Sequence, residues 1–186
     1  MPTKKIVAEY EDRMDNAVVY LQDELRGLRT GRASTGLIEN LKADFYGTPT
    51  PLKQMATLAA PQSDTIIIKP FDPSSIKEIE KAIKNSDLSI APIVDGKLIR
   101  LNVPALSEER RRQLANQAKQ LGEQAKVSLR NIRRDANKHL EQAEKDKEIT
   151  EDDRDKGKKR MDDLTKEHTD RIDQMVKAKS EEIMSD

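Results

Sequence analysis

Hydrophobic spacing divides the chain into three stretches with different periods. Residues 4–29 read as a helix, because Ile6, Tyr10, Met14, Ala17, Val18, Leu21, Leu25 and Leu28 recur at the three- and four-residue steps of one helical face. Gly31 follows where a helix C-cap is expected. From Ser107 onward the helical period returns and runs to the end. Leu114, Ala118, Leu121, Ala125, Leu129, Ile132, Ala136, Leu140 and Ala143 keep the same short steps with no proline among them. A helix over 107–146 would be roughly 60 Å long. Thr150 then offers an N-cap, with Asp153 at the capping-box position. A third helix follows, with Met161, Leu164, His168, Ile172, Met175, Val176 and Ile183 inward. The short link 147–149 forces the second and third helices antiparallel.

Between these helical stretches the period changes. Seven of the eight prolines lie in 31–104, at Pro49, Pro51, Pro61, Pro70, Pro73, Pro92 and Pro104, a density that forbids long helices. Short β-rich runs appear over 41–46, 55–59, 65–69, 88–93 and 98–103. One helix interrupts them over 74–85, opened by Asp72-Pro73-Ser74 and carrying Ile76, Ile79, Ala82 and Ile83 on one face. Each long helix has only one apolar stripe, so two alone would leave that surface wet, and the first helix is the third partner. The expected fold class is α+β. It is a long antiparallel three-helix bundle from 1–30 and 105–186, with a small β/α/β sandwich-like domain, 31–104, inserted between its first and second helices. Two connections rich in Gly, Ser, Thr and Pro, near 30–36 and 103–106, read as a hinge of restricted direction.

Composition narrows the chemistry. Charged residues make up 37% and aromatics 3%, which suits long solvated helices with narrow apolar stripes. There is no cysteine, hence no disulfide, thiolate nucleophile or Cys-ligated zinc. The N-terminus lacks a signal-peptide h-region and no apolar run approaches a bilayer span, so a cytoplasmic protein without a membrane partner is expected. The two histidines, His139 and His168, sit inside predicted helices; His168 falls on the apolar face, where a packed core histidine is the simpler reading. The acidic run 148–155 lacks the alternating oxygen ligands and glycine of a calcium loop, and better serves the dipole at the start of the third helix. Neither GxGxxG nor GxxxxGK[ST] occurs. No catalytic site, metal or cofactor is expected, and the chain does not read as an enzyme.

The formal net charge is zero, so a polyanion would have to be met by a local patch. One exists. From Arg110 to Arg134, eight Lys/Arg oppose the single acid Glu123, a net +7. Arg112, Lys119, Lys126, Arg130, Arg133 and Arg134 fall within a sector of about 100° on a helical wheel, centred about 120° from the apolar stripe. They should therefore point outward. Structural helices normally intersperse acids at i,i+4 spacing, as the third helix does, and the planar fork of arginine suits phosphate oxygens. This face is the candidate RNA-binding surface, with Arg29 and Arg32 adding charge near the junction. Tyr10 and Tyr20 are assigned to a helical stripe and Phe45, Tyr46 and Phe71 to strands, so binding is expected to be electrostatic rather than stacked. A coiled-coil adaptor would show similar helices, but it predicts self-association and leaves the proline-rich insert unexplained. An active site in the insert is the weakest reading, because paired catalytic groups are lacking there.

Several blocks carry a resemblance. Leu28-Arg29-Thr30-Gly31-Arg32-Ala33-Ser34, then Tyr46-Gly47-Thr48-Pro49-Thr50-Pro51-Leu52, Lys81-Ala82-Ile83 with Ser86-Asp87-Leu88, Ser107-Glu108-Glu109-Arg110-Arg111, 127–137 ending NIRRDAN, and 145–153 occur in order along the chain. Together they resemble the ribosome recycling factor family. Leu129 stands where a β-branched residue is usual and Ser107 where threonine is common. The resemblance implies an L-shaped, tRNA-sized monomer. With elongation factor G and that partner's GTP hydrolysis, it would split post-termination ribosomes and free mRNA and tRNA. It also implies contacts to large-subunit ribosomal RNA through Arg29, Arg130, Arg133 and Arg134, with Arg112, Lys119 and Lys126 secondary. Thr30, Gly31, Arg32, Ala33, Ser34, Val103, Pro104 and Ala105 would form the hinge on which elongation factor G acts.

Overall fold

The computed structural model describes residues 2–185. Its elements run α1 (Pro2–Arg26), β1 (Lys42–Phe45), β2 (Thr48–Pro51), α2 (Leu52–Met55), β3 (Ala56–Gln62), β4 (Thr65–Pro70), α3 (Ile76–Lys84), β5 (Pro92–Asp95), β6 (Leu98–Asn102), α4 (Glu108–Lys145) and α5 (Glu151–Met184). Two compact units result, one of Met1–Leu25 with Asn116–Ser180, the other of Arg26–Ala115 with Glu181–Asp186.

The first unit is the helical one. Met14, Val18 and Leu21 of α1, Ala118, Leu129 and Leu140 of α4, and Met161, Leu164 and Ile172 of α5 are all essentially inaccessible to water. Burying each large aliphatic is worth about 1.5–3 kcal/mol. Two glycines let the helices approach closely. A Cβ at Gly122 would lie 2.5 Å from Val176 Cγ2, and one at Gly157 would lie 3.0 Å from both Leu140 methyls. Polar ties complete the fit. His168 is buried, with Nδ1 2.7 Å from the Leu164 carbonyl and Nε2 2.7 Å from Asp15 Oδ1. His168 is thus a packed, hydrogen-bonded core residue, as its place on the apolar face suggested. His139 is exposed on α4, its ring edge-on to Tyr10.

The α4–α5 turn is fixed locally. Lys147 takes a left-handed φ of 60°. Its N–H donates to the Glu144 carbonyl and that of Glu148 to the Ala143 carbonyl, the paired bonds of a Schellman cap made without glycine. Two residues on, Thr150 Oγ1 accepts from the Asp153 N–H at 3.1 Å, while Asp153 Oδ2 accepts from the Thr150 N–H at 3.4 Å. That reciprocal exchange is the capping box the sequence announced. Glu151, Asp152 and Asp153 load the first turn of α5 with acid, favourable at a helix N-terminus.

In the second unit, β3–β4–β6–β5 form an antiparallel sheet and β1–β2 a separate hairpin. Ile66 opposes Leu101 and Ile68 opposes Ile99, and all four face a core shared with Ile38, Leu52, Ile79 and Ile83. Asp72 opens the helical segment: Oδ1 accepts from the Ser74 N–H at 3.0 Å, as Asp72-Pro73-Ser74 implied.

Three local expectations need correction. The first helix stops at Arg26, so Gly31 is not its C-cap, although Leu28 beyond the end is still buried. The stretch Thr48-Pro49-Thr50-Pro51, which falls outside the expected β-rich runs, is strand β2. Proline is tolerated there because β2 pairs only with β1, and a strand with a free edge can lack donors on that side. The turn between them uses Tyr46 (φ 51°) and Gly47 (φ 84°), both left-handed as a two-residue type I′ turn requires. Lastly, the β-rich run expected over 88–93 is strand β5 at Pro92–Asp95. Leu88 and Ile90 are apolar because they pack on the core from a loop.

Candidate nucleic-acid interface

In α4 the apolar stripe points into the bundle and carries the basic sector outward on the same rigid element. Lys119, Arg130 and Arg134 are exposed. Among the described residues none of the three meets a carboxylate: the ion pairs that α4 makes involve other side chains. The remaining predicted cations stand differently. Lys126 Nζ bonds Asp173 of α5 and lies 3.3 Å from Glu123. The Asp173 bond, with smaller help from Glu123, raises the Lys126 pKa. Arg133 Nη1 is 3.7 Å from Asp162 of α5, a loose pair on a half-buried side chain. Arg112 Nη2 holds Glu108 at 2.6 Å on an exposed surface. Arg130, Arg133, Arg134, Lys126 and Lys119 thus share one stretch of the helical unit, the free charges being Lys119, Arg130 and Arg134.

Arg29 and Arg112 belong to the second unit. The Arg29 Nη2 donates to the Pro104 carbonyl, while its Nε is buried without a hydrogen-bond partner. Burial, and then the nearby Arg110 charge, push the Arg29 pKa below its ordinary value. The connecting segments that contain Thr30, Gly31, Arg32, Ala33, Ser34, Val103, Pro104 and Ala105 are tied to one turn. The Ala33 N–H donates to the Ser63 carbonyl at 2.6 Å, and the Val103 N–H donates to the Asp64 carbonyl at 2.7 Å. Thr30 is buried, its Oγ1 accepting from the Arg32 N–H at 3.3 Å, and Ser34 Oγ accepts from the Gly36 N–H at 3.2 Å.

Sequence reasoning misplaced one residue. Tyr10 lies in the buried stripe of α1, but Tyr20 does not: it is 67% exposed. It lines a groove of about 550 Å³ between α1 and α4, together with Asn16, Gln124, Ser128 and Asn131. A wheel would have shown it, since Tyr20 is displaced by roughly 160° from Val18.

No group of three or more His, Cys, Asp or Glu among the described residues could hold a metal ion. No helix of the structure is long and apolar enough to cross a membrane. A helical scaffold that presents free arginines on one face, joined to a small sheet unit, defines a protein that works by binding large partners. Comparison with known proteins gives that class a family. The family model described as ribosome recycling factor matches residues 21–184. Ribosome-recycling factor of Oleidesulfovibrio alaskensis is 49% identical over 179 residues, covering 96% of this chain and 97% of that one. That of Geobacillus kaustophilus is 45% identical over 181 residues, covering 97% and 98%. A solution structure of ribosome recycling factor superposes with a TM-score of 0.75 at 38% identity, over 100% of this chain and 99% of that chain. A second neighbour, at TM-score 0.65 and 36% identity over 100% of both chains, is T. thermophilus ribosome recycling factor described with E. coli elongation factor G on the E. coli post-termination complex. The chain belongs to the ribosome recycling factor family, whose members are non-enzymatic translation factors.

Proposed function

We propose that this chain recycles ribosomes in the cytoplasm after termination. It binds the post-termination ribosome and, with elongation factor G and that partner's GTP hydrolysis, parts it into subunits and releases mRNA and tRNA. In this reading the outer face of α4 lies on large-subunit ribosomal RNA, with Arg130, Arg133 and Arg134 on phosphates, Lys119, Lys126 and Arg112 as secondary contacts, and Arg29 contributing from the junction. The observation that carries it is the set of unpaired cations, Lys119, Arg130 and Arg134, on a chain whose net charge is zero. A cationic face with few acids gains most from a polyanion, because phosphate contacts release condensed counterions. The bundle, 1–30 with 105–186, would supply the fixed body. The segment 31–104 would be the part displaced by elongation factor G, about the connections 30–36 and 103–106. The partner's nucleotide then supplies the energy, which accounts for a factor with no phosphate-binding loop of its own.

The deciding experiment is subunit splitting of post-termination ribosomes, followed by light scattering. Dissociation that needs this protein, elongation factor G and GTP together is the expected result. Dissociation at the same rate without this protein would overturn the proposal.

A further inference from the structure

The groove between α1 and α4 has a shape and lining that the arginine face does not explain. Its volume, about 550 Å³, falls in the ~300–1,000 Å³ range of small-ligand sites. Its floor is apolar, made by Ala17, Leu21, Leu121, Ala125 and Ile132. Its walls carry neutral hydrogen-bonding groups from Asn16, Gln124, Ser128 and Asn131, and Tyr20 stands exposed at one side. The ionic groups present disfavour phosphate inside it. Arg13 is already held by Asp135 at 3.2 Å, and the Glu24 carboxylate lines the groove beside Tyr20, whose pKa it raises. Just outside, the free guanidiniums begin. Arg134 is three residues from Asn131 and Arg130 is next to it, so both lie within about one helical turn of the groove.

An apolar floor, neutral donors and acceptors at the rim, one exposed ring and free arginines at the margin match the parts of a nucleotide. We propose that this groove receives a single unpaired nucleotide of ribosomal RNA, its base stacked on Tyr20 and its edge or ribose hydroxyl on Asn131 and Gln124, with flanking phosphates on Arg130 and Arg134. RNA recognition favours such splayed-out bases, since their faces stack on aromatics and their edges are free to hydrogen-bond. The inference rests on the reading above that α4 lies against ribosomal RNA. It adds a neutral, base-directed contact to a surface otherwise expected to read only charge.

The test uses full-length protein, purified large ribosomal subunits and two measurements. The first is affinity against salt. Tyr20→Ala should weaken binding roughly ten-fold at every salt concentration, giving a line parallel to wild type, because no phosphate contact is lost. Tyr20→Phe should bind within about two-fold of wild type, since the stacking face remains. Asn131→Ala should fall between them. The second is chemical probing of bases: wild type should alter the reactivity of one nucleotide that Tyr20→Ala leaves unchanged. Unaltered affinity for Tyr20→Ala would overturn the proposal, and so would equal losses for the Phe and Ala variants. A loss of affinity with identical base reactivity for wild type and Tyr20→Ala would point to a ribosomal protein in the groove, and would also overturn it. Failure of the wild type to bind subunits at all would instead defeat the underlying RNA-binding reading. Tyr20 is exposed, so an unchanged helical circular dichroism melt is expected for its variants.

Discussion

The helices α4 and α5 have nearly the same length, 38 and 34 residues, and both are rich in charge. They differ in how closely acids accompany the cations. On α5, Lys156 holds Asp152 at 2.6 Å, Arg160 reaches Glu167 at 3.4 Å, Lys158 bonds Glu141 of α4 at 2.6 Å, and Arg154 meets Asp155, Glu151 and Glu144. On α4, Lys119, Arg130 and Arg134 are left unpaired among the described residues. Exposed ion pairs contribute little stability, so pairing on α5 does not serve mainly to hold the helix together. It withdraws charge from use. The lysines of α5 that meet no carboxylate among the described residues, Lys159, Lys166 and Lys177, stand among the exposed acids Asp162, Asp163, Asp170 and Asp173. What distinguishes the α4 face is therefore how few acids stand beside its cations.

The comparison can be broken most forcefully from inside. Leu129, fully buried on the inner face of α4, should cost about 2–5 kcal/mol when changed to Ala, read as a lowered urea midpoint by circular dichroism. A much smaller loss would mean that the stripe does not fix the orientation of the arginines. Next is the outer face itself. Arg130→Ala with Arg134→Ala should leave the unfolding free energy within about 0.5 kcal/mol of wild type. The salt slope of binding to large subunits should fall by roughly 1.4, about 0.7 for each lost phosphate. The counterpart Arg160→Ala on α5 should change neither measurement. If Arg160→Ala weakened binding as strongly as the double variant, the scarcity of acids on α4 would not be the distinguishing property.

The smallest effect lies in the sheet unit. The Tyr46 hydroxyl bond, and then the Ser74 hydroxyl and N–H, hold the Asp72 carboxyl below its ordinary range. A depressed folded-state pKa gives stability that is present above the unfolded value and lost as pH falls through the folded one. Wild type should therefore be slightly more stable than Asp72→Asn at neutral pH, and the two urea midpoints should converge below about pH 4. A difference that persists at pH 2 would count against this linkage.

How legible all this was depended on the length of the pattern. The long stripes of α4 and α5 repeat often enough that a few exceptions do not hide the period, and the basic sector followed from them by geometry alone. The short strands gave less. In β2 the alternation of Thr and Pro hid an edge strand, because proline's cost depends on whether its missing N–H would have had a partner, a tertiary fact. Leu88 and Ile90 were apolar for packing and looked like strand. The pairing of Lys126 with Asp173 and of Arg133 with Asp162 was equally hidden, since it requires the register of α5 against α4. Tyr20 was lost differently: an aromatic inside a helix was assumed to pack, although its position on the wheel excluded it from the stripe.

The ties of α1 also set an order of assembly. Its partners stand far along the chain: Arg13 bonds Asp135, 122 positions later, and Asp15 bonds His168, 153 positions later. The hairpin of α4 and α5, by contrast, closes through the three-residue link after Asp146 with almost no loop to gather. Chains are made from the N-terminus at about 5–20 residues per second, so α1 leaves its ribosome roughly 6–30 s before its packing surface exists. During that interval its apolar stripe is unmatched by the helices that later cover it. The first helix to be made is the last to find its place.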